Sequence, residues 1–236
     1  MLRNCRRQFW IFFVTFLKIC FCEEDLTELT QKMIDAKIIP HFIPVPPKHK
    51  LKIYYPIGPR EREVITGEPL RRWEIVDQPR LDFPRDNATK YYTVYMGSVH
   101  EPVPEREFDF YGDTLPPDYP IPTTDEPPAI QQIEHWIVIN VKRNYVYGGN
   151  IMFDYIHPGK APKNVTEYFP IVVFRQPGRK KMKFASDEIK DDPGYDFGPF
   201  HTIEKFAKKY NLGDPWAADF FTTAKVNFFK FRDDCK

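Results

Sequence analysis

Short alternating or continuous apolar runs dominate the chain and predict strands rather than long helices. The clearest runs are rich in β-branched and aromatic residues, which favour extended structure. They predict strands at 50–55, 91–96, 135–141, 168–174 and 224–231, with shorter candidates at 63–66 and 72–76. Prolines occur 24 times against 11 glycines, so extended segments and rigid turns should be frequent. The pattern therefore excludes a bundle of long helices.

Two short stretches have helical rather than strand periodicity. Residues 26–37 place apolar side chains near helical spacing, and Pro40 follows just beyond their end. Residues 203–210 repeat this pattern and end before Gly213, a typical helix stop. We expect both to form short amphipathic helices that dock on the strands.

The first 22 residues have the layout of a secretory signal peptide. Three arginines precede the apolar run Phe9–Leu17, no acidic residue occurs, and the small residues Cys20 and Cys22 stand where a cleavage site would need them. We expect a signal peptide at 1–22, a secreted chain and a single domain over 23–236. The apolar run is shorter than the roughly 20 residues that span a bilayer, so no transmembrane segment is expected after processing.

The net charge and the cysteine content bear on the expected partners and on the expected disulfides. The net charge is only +1, and nothing in it indicates a nucleic-acid partner. Cleavage after residue 22 would leave Cys235 as the single cysteine, so no internal disulfide is expected. Pairing of this thiol between chains and an inert tail cysteine both stay open.

A segment at about 101–129 differs in composition from its surroundings. Residues 101–128 contain eight prolines, eight acidic residues and one basic residue. Such a segment pairs poorly in a sheet, so it predicts an extended surface loop inserted into the domain. Two interpretations stay open, a loop that contacts a protein partner and an insertion without a role.

In order and spacing, several segments resemble the phosphatidylethanolamine-binding protein family. The matching blocks are IIPHFI (38–43), KLKIYYPIG (50–58), VITGEPL (64–70), YYTVYM (91–96), EHWIVINV (134–141), DYIHPGKAPKNVTEYFPIVVFRQ (154–176) and FHTIEKFAKKYNLGDPWAADFF (200–221). They are collinear with the family pattern over about Met33 to Phe229. The resemblance implies a mainly β fold, with a central antiparallel sheet, a smaller second sheet and a few short peripheral helices.

The resemblance also implies ligand-site residues, because family members have a small anion pocket. The register places Ser98 where the family has an aspartate, His135 at its first histidine and Glu167 at its second. Gly159 and Phe169 fall on the same loop and strand of that pocket. A carboxylate in place of a ring donor should weaken phosphate binding, so the pocket is expected to be remodelled toward a polar uncharged ligand. A phospholipid head group stays the alternative ligand.

The family resemblance implies a non-enzymatic binding or regulatory protein without a cofactor. The alternative is a protein-interaction scaffold that regulates a protease or a kinase, or one of the mitochondrial ribosomal large-subunit type. An arginine-rich, acid-free N-terminus keeps a mitochondrial location open as well. A hydrolase built on Ser98, His135 and Glu167 is disfavoured, because no Gly-x-Ser-x-Gly turn surrounds the serine.

Two further site classes follow from local motifs. The histidines lack the spacing of metal ligands, so no metal site is expected. Asn87-Ala88-Thr89 and Asn164-Val165-Thr166 are N-glycosylation sequons, and both Asn87 and Asn164 are candidate glycan sites on a secreted chain.

Overall fold

The computed structural model of the protein describes residues 25–87, 89–100, 131–159, 166–183 and 202–223. These residues form helices α1 (25–35), α2 (Ile38–His41) and α3 (Ile203–Lys209), with 3-10 turns at Arg72–Glu74 and Val146–Gly148. The strands are β1 (His49–Lys50), β2 (Lys52–Ile57), β3 (Arg60–Glu63), β4 (Pro69–Leu70), β5 (Arg80–Asp82), β6 (Tyr91–His100), β7 (Gln131–Lys142), β8 (Asn150–Phe153), β9 (Tyr168–Arg175) and β10 (Pro215–Thr223).

Seven strands form the central sheet, in the order β1-β10-β9-β6-β7-β8, with β4 also paired to β10. The long strands β6, β7, β9 and β10 pair antiparallel, whereas the two-residue strands β1 and β4 run parallel to β10. A second, antiparallel sheet has the order β3-β2-β5. The predicted mainly β fold is therefore confirmed, and the central sheet is mixed because of its two short parallel strands.

Strand alternation divides the buried residues between the two faces of the central sheet. Along β6, Tyr92 and Val94 point to one face, where they join a cluster that we call the first core cluster. Tyr95 and Val99 point to the other face and join the second core cluster, together with residues of α1 and α3. The helices predicted at 26–37 and 203–210 are thus present and pack on the second face.

Two strand predictions differ from the structure, and a third falls outside the described residues. Residues 72–76 contain a 3-10 turn instead, because the Glu74 carboxylate accepts a hydrogen bond from the Arg71 amide and folds the chain back on itself. The candidate at 63–66 is displaced, since the strand there is Arg60–Glu63. Residues 224–231 lie outside the described residues, and strand β10 directly before them was not predicted.

Candidate functional site

A β-bulge interrupts the pairing of β6 and β7 next to His135. Met96 pairs with Trp136, but the next residue, Gly97, pairs with Glu134, so His135 is the extra residue on β7. A bulge interrupts the regular alternation of side chains between the two faces of a sheet. A residue at the bulge can therefore point to the face opposite the one that regular pleating would give it.

The ring contacts show that His135 points to the first core cluster. Its ring lies edge-on to Phe169 with 5.3 Å between the ring centroids, and both Phe169 and Trp136 belong to that cluster. Glu134, in contrast, accepts a hydrogen bond of 3.2 Å from the hydroxyl of Tyr95, which belongs to the second cluster. The consecutive residues His135 and Trp136 therefore share one face.

Ser98 lies on β6, between the strands that carry His135 and Phe169. Val99 pairs with Tyr168 on β9, so the antiparallel register sets Ser98 opposite Phe169. Three candidate residues from three adjacent strands thus meet at one end of the central sheet.

The small side chain of Ser98 lets the two rings approach each other. A Cβ added to the preceding residue, Gly97, would meet the ring of Phe42 in the second core cluster, so alternation points Ser98 to the first. Strands on either side of a middle strand lie roughly 10 Å apart. The rings of His135 and Phe169 therefore reach across β6 and meet above Ser98.

His135 is held as a neutral imidazole with a defined tautomer. Its Nδ1 lies 2.9 Å from the carbonyl oxygen of Ile156, and because a carbonyl only accepts, Nδ1 carries the proton. The amide of Ile156 donates in turn to the carbonyl of His135 at 2.8 Å. Burial lowers the pKa of His135 to about 4, so near pH 7 its Nε2 is an unprotonated hydrogen-bond acceptor.

Three buried polar atoms of this cluster have no hydrogen-bond partner among the described residues: Ser98 Oγ, His135 Nε2 and Trp136 Nε1. Most buried polar atoms in folded proteins are paired, and an unpaired one costs free energy. The hydroxyl of Ser98 can donate or accept, Nε2 of His135 accepts, and the indole of Trp136 donates. Together they can bind a small polar group that carries both a donor and an acceptor.

Trp136 and its support were not identified from the sequence. The ring of Tyr155 lies edge-on to Trp136 at 5.8 Å. The hydroxyl of Tyr155 donates to the carbonyl of Ile75 at 2.8 Å, so the hydroxyl of Tyr55, 3.2 Å away, donates to Tyr155. This network fixes Trp136 beside His135, and only the tertiary structure brings its members together.

The other two predicted ligand residues are less closely joined to this cluster. Gly159 is exposed, and an added Cβ there would meet no atom within 4 Å. Glu167 is half-buried and lies directly before β9, two residues from Phe169. Their roles as ligand residues stay predictions.

The structure describes Asn87, the first of the two candidate glycan sites, but not the second. Asn87 is exposed, and the Thr89 hydroxyl of its sequon donates to the carbonyls of Tyr91 and Gln176 at 3.0 Å each. Asn164 lies outside the described residues, as do the segments 1–22 and 101–128, for which a signal peptide and a surface loop are predicted. The glycan sites and the domain limits stay predictions.

Asp219 is a second buried polar residue that the sequence reasoning missed. It lies on β10 and accepts hydrogen bonds from the Thr66 hydroxyl at 3.1 Å and the Phe220 amide at 2.8 Å. Burial raises the pKa of Asp219 to about 7, although these hydrogen bonds and the charge of Lys50 act in the opposite direction. The sequence feature that could have identified it is a single acidic residue inside the apolar run from Trp216 to Phe221.

The described residues contain neither a membrane-spanning helix nor a cluster of metal ligands. No helix among them has the length and apolar character needed to cross a membrane. No three His, Cys, Asp or Glu side chains in the same part of the chain group as metal ligands would.

Curated proteins, among them one from Drosophila melanogaster and one from Arabidopsis thaliana, are similar to the chain over most of its length, whereas no protein-family model matches the chain. A Drosophila melanogaster protein named "Putative odorant-binding protein A5" is 23% identical over 211 residues, which cover 89% of this chain and 87% of the relative. Protein FLOWERING LOCUS T of Arabidopsis thaliana is 28% identical over 162 residues, covering 68% of this chain and 74% of the relative.

Solved structures share the fold at low sequence identity. A carboxypeptidase Y inhibitor, crystallised with its cognate proteinase, has a TM-score of 0.57 and 16% identity, covering 85% of this chain and 97% of the inhibitor. A phosphatidylethanolamine-binding protein from Plasmodium vivax has a TM-score of 0.54 and 15% identity, covering 84% and 97% of the two chains. These likenesses establish the fold and assign no role to individual residues.

Proposed function

We propose that the chain is a member of the phosphatidylethanolamine-binding protein family and a non-enzymatic binding protein whose ligand pocket is remodelled toward uncharged polar ligands. The family itself implies ligand or protein binding. The remodelled pocket, a regulatory role and the secreted location are the additions made by this proposal.

The observation that carries the proposal is the cluster of Ser98, His135 and Phe169 on one face of the central sheet. Its unpaired polar atoms lie beside an aromatic wall, which is the composition typical of small-ligand sites. A ligand that pairs with Ser98 Oγ and His135 Nε2 would recover the hydrogen bonds that these atoms lack within the described protein.

The protonation state of His135 argues against an anionic ligand near neutral pH. An anion site needs donors and positive charge, but here burial keeps the imidazole neutral, and Nε2 presents a lone pair. A phosphate oxygen facing this lone pair would be repelled. A hydroxyl or amide N–H would instead donate to Nε2, so the pocket favours an uncharged ligand that carries a donor.

The same geometry supports a non-catalytic role. In a Ser-His-acid triad the serine hydroxyl donates to one ring nitrogen, and a carboxylate accepts from the other. Here Nδ1 of His135 donates to the Ile156 carbonyl, and Ser98 Oγ has no hydrogen bond to Nε2. Neither contact that would activate Ser98 as a nucleophile is made.

Calorimetric titration with two probes tests the proposal. N-acetylethanolamine carries uncharged donors, and phosphorylethanolamine is the anionic head group. At pH 7.4 we expect saturable binding of N-acetylethanolamine and at least hundredfold weaker binding of phosphorylethanolamine. Ser98→Val should weaken N-acetylethanolamine at least tenfold, whereas the matched change Thr223→Val at the end of β10 should not. Nanomolar binding of phosphorylethanolamine at this pH would contradict the remodelled pocket.

A protein-interaction role is the second candidate, and an exposed surface favours it. Ile65 and Trp73 stand on two neighbouring turns, with 68% and 59% of their surfaces exposed. Arg62 donates to Glu68 at 2.7 Å and to Glu74 at 2.5 Å, so one guanidinium joins the two turns. Exposed tryptophans on rigid turns are typical anchors of protein interfaces.

Carboxypeptidase Y is a defined probe for this second role, because an inhibitor of that enzyme shares the fold. We expect the chain to slow peptide hydrolysis in a saturable way, and Trp73→Ala to weaken this inhibition at least tenfold. Tyr147→Ala, at an exposed aromatic residue on a separate turn, is the control and should leave inhibition unchanged. No inhibition at micromolar protein would exclude this protease as the partner.

A further inference from the structure

A cleft of about 260 Å³ lies on the face of the central sheet opposite the candidate pocket. Its lining includes Phe42, Ile43 and Phe174, which belong to the second core cluster. Ser98 and His135 face the first core cluster, so the strand layer separates the two places. A ligand in the cleft would therefore not contact the pocket of the proposed function.

The inner part of the cleft is apolar. Phe42, Ile43 and Phe174 are buried, and Pro44 and Pro215 add wall positions that have no backbone N–H to donate. A ligand group that enters here meets mainly carbon atoms. The free energy of binding would come chiefly from apolar area removed from water.

Polar side chains lie on the α3 side of the cleft. Glu204 and Lys208 are exposed, stand one helical turn apart and carry opposite charges, and Asn211 follows the helix. Lys208 and Asn211 can donate to a ligand oxygen, and Glu204 can accept from a hydroxyl. Because the two charges balance, the rim offers hydrogen bonds without favouring a charged head group.

The wall formed by α3 is held in place before any ligand binds. Phe206 packs against Tyr95 and Tyr210, with ring centroids 5.4 and 5.1 Å apart. The turn after α3 is closed by a hydrogen bond of 2.9 Å from the Leu212 amide to the Ala207 carbonyl. A preformed wall lowers the ordering cost of binding.

We propose that this cleft is a second ligand site, which binds a small, uncharged, mostly apolar molecule with a single hydroxyl, carbonyl or ester group. Water occupies about 30 Å³ per molecule in the liquid, so the cleft holds a ligand of roughly ten non-hydrogen atoms. The apolar body lies against the phenylalanines and prolines, and the oxygen group lies at the α3 rim.

Amide chemical-shift mapping of the wild-type protein tests the proposal directly. The probe is 1-octanol, and octanoate and octylammonium are probes with the same chain and a charged head. We expect 1-octanol to shift the signals of Ile43, Ala207 and Asn211 saturably, and both charged probes to bind at least tenfold more weakly. Shifts centred on Ser98 and His135 instead, or equal affinity for a charged probe, would overturn the proposal.

A pair of matched variants supplies the second arm. Ala207→Phe places a ring in the cleft and should weaken 1-octanol at least tenfold, whereas Lys205→Phe adds the same ring at an exposed position of α3 outside the lining. Unchanged octanol affinity in Ala207→Phe would contradict the site. If this variant does not fold, the shift map of the wild-type protein decides.

Discussion

The ring of His135 meets the ring of Phe169 at 5.3 Å, although the strands that carry them are separated by β6. The small side chain of Ser98 on β6 makes this contact possible. The three residues form a compact cluster that combines an aromatic wall with polar atoms that have no hydrogen-bond partner in the described part of the chain. These polar atoms lower the stability of the protein, and the same atoms are available to bind the proposed ligand.

Removing the hydroxyl of Ser98 should make the protein slightly more stable and its ligand binding weaker. Ser98 is fully buried and its Oγ has no partner among the described residues, so Ser98→Ala is expected to raise the free energy of unfolding slightly, by up to about 1 kcal/mol. The same variant should weaken N-acetylethanolamine at least tenfold. Urea unfolding and calorimetric titration measure the two effects. A loss of stability above about 1 kcal/mol would show that the hydroxyl is structural instead.

Replacing Asp219 should change how stability depends on pH. Burial raises the pKa of Asp219 to about 7 from the ordinary value of 3.8, so the folded state holds this proton more tightly than the unfolded state. The proton on Asp219 therefore stabilises the folded protein fully below about pH 4, and this contribution to the free energy of unfolding is lost as the pH rises toward 7. The loss amounts to at most about 4 kcal/mol. Asp219→Asn should remove it and make the protein more stable than wild type at pH 8.

Urea unfolding at pH 5 and pH 8 measures this difference. Asp214→Asn is the control, because Asp214 is an exposed acid in the turn before β10. We expect the control to leave the pH dependence unchanged. If the wild type and Asp219→Asn lose stability equally between the two pH values, the buried carboxyl is not the cause.

Restoring a histidine at position 167 should increase affinity for anions. The resemblance to the family predicts that Glu167 replaces the second pocket histidine, and a carboxylate there would repel phosphate. Glu167→His is therefore expected to strengthen phosphorylethanolamine binding at least tenfold near pH 6, measured by calorimetry. Glu63→His on β3 removes the same charge from an exposed strand and serves as the control. Equal gains in both variants would point to net charge rather than to the pocket.

The N-terminus and the glycans provide a further prediction. A secreted chain should begin near Glu23 and carry glycan at Asn87, which is exposed on the surface. Intact mass and N-terminal sequencing of the natively expressed protein, before and after enzymatic deglycosylation, measure both features. Asn87→Gln should remove the glycan mass from that site. An unglycosylated chain with a longer N-terminal cut, found in organelles, would favour the mitochondrial alternative instead.

Sequence patterns were reliable where local composition and burial agree. The runs at 91–96, 135–141 and 168–174 are rich in β-branched and aromatic residues, and each lies inside a long central strand. They failed where a few specific contacts determine the backbone conformation. Residues 72–76 look extended, but hydrogen bonds to Glu74 form a 3-10 turn. Strand β10 contains alanines and an aspartate, and pairing with three neighbouring strands makes it extended.

The amino-acid sequence alone indicated the resemblance to the phosphatidylethanolamine-binding protein family, the mainly β fold and the candidate residues Ser98, His135 and Phe169. Only the tertiary structure decided that a bulge turns His135 to the face of Phe169, and that the Ile156 carbonyl selects its tautomer. Burial among strands distant in sequence is the largest cause of the raised pKa of Asp219, and it too exists only in the folded structure. The physical reason is that composition and periodicity report local preference, whereas side-chain facing, protonation and cavity shape depend on contacts between segments far apart in the chain.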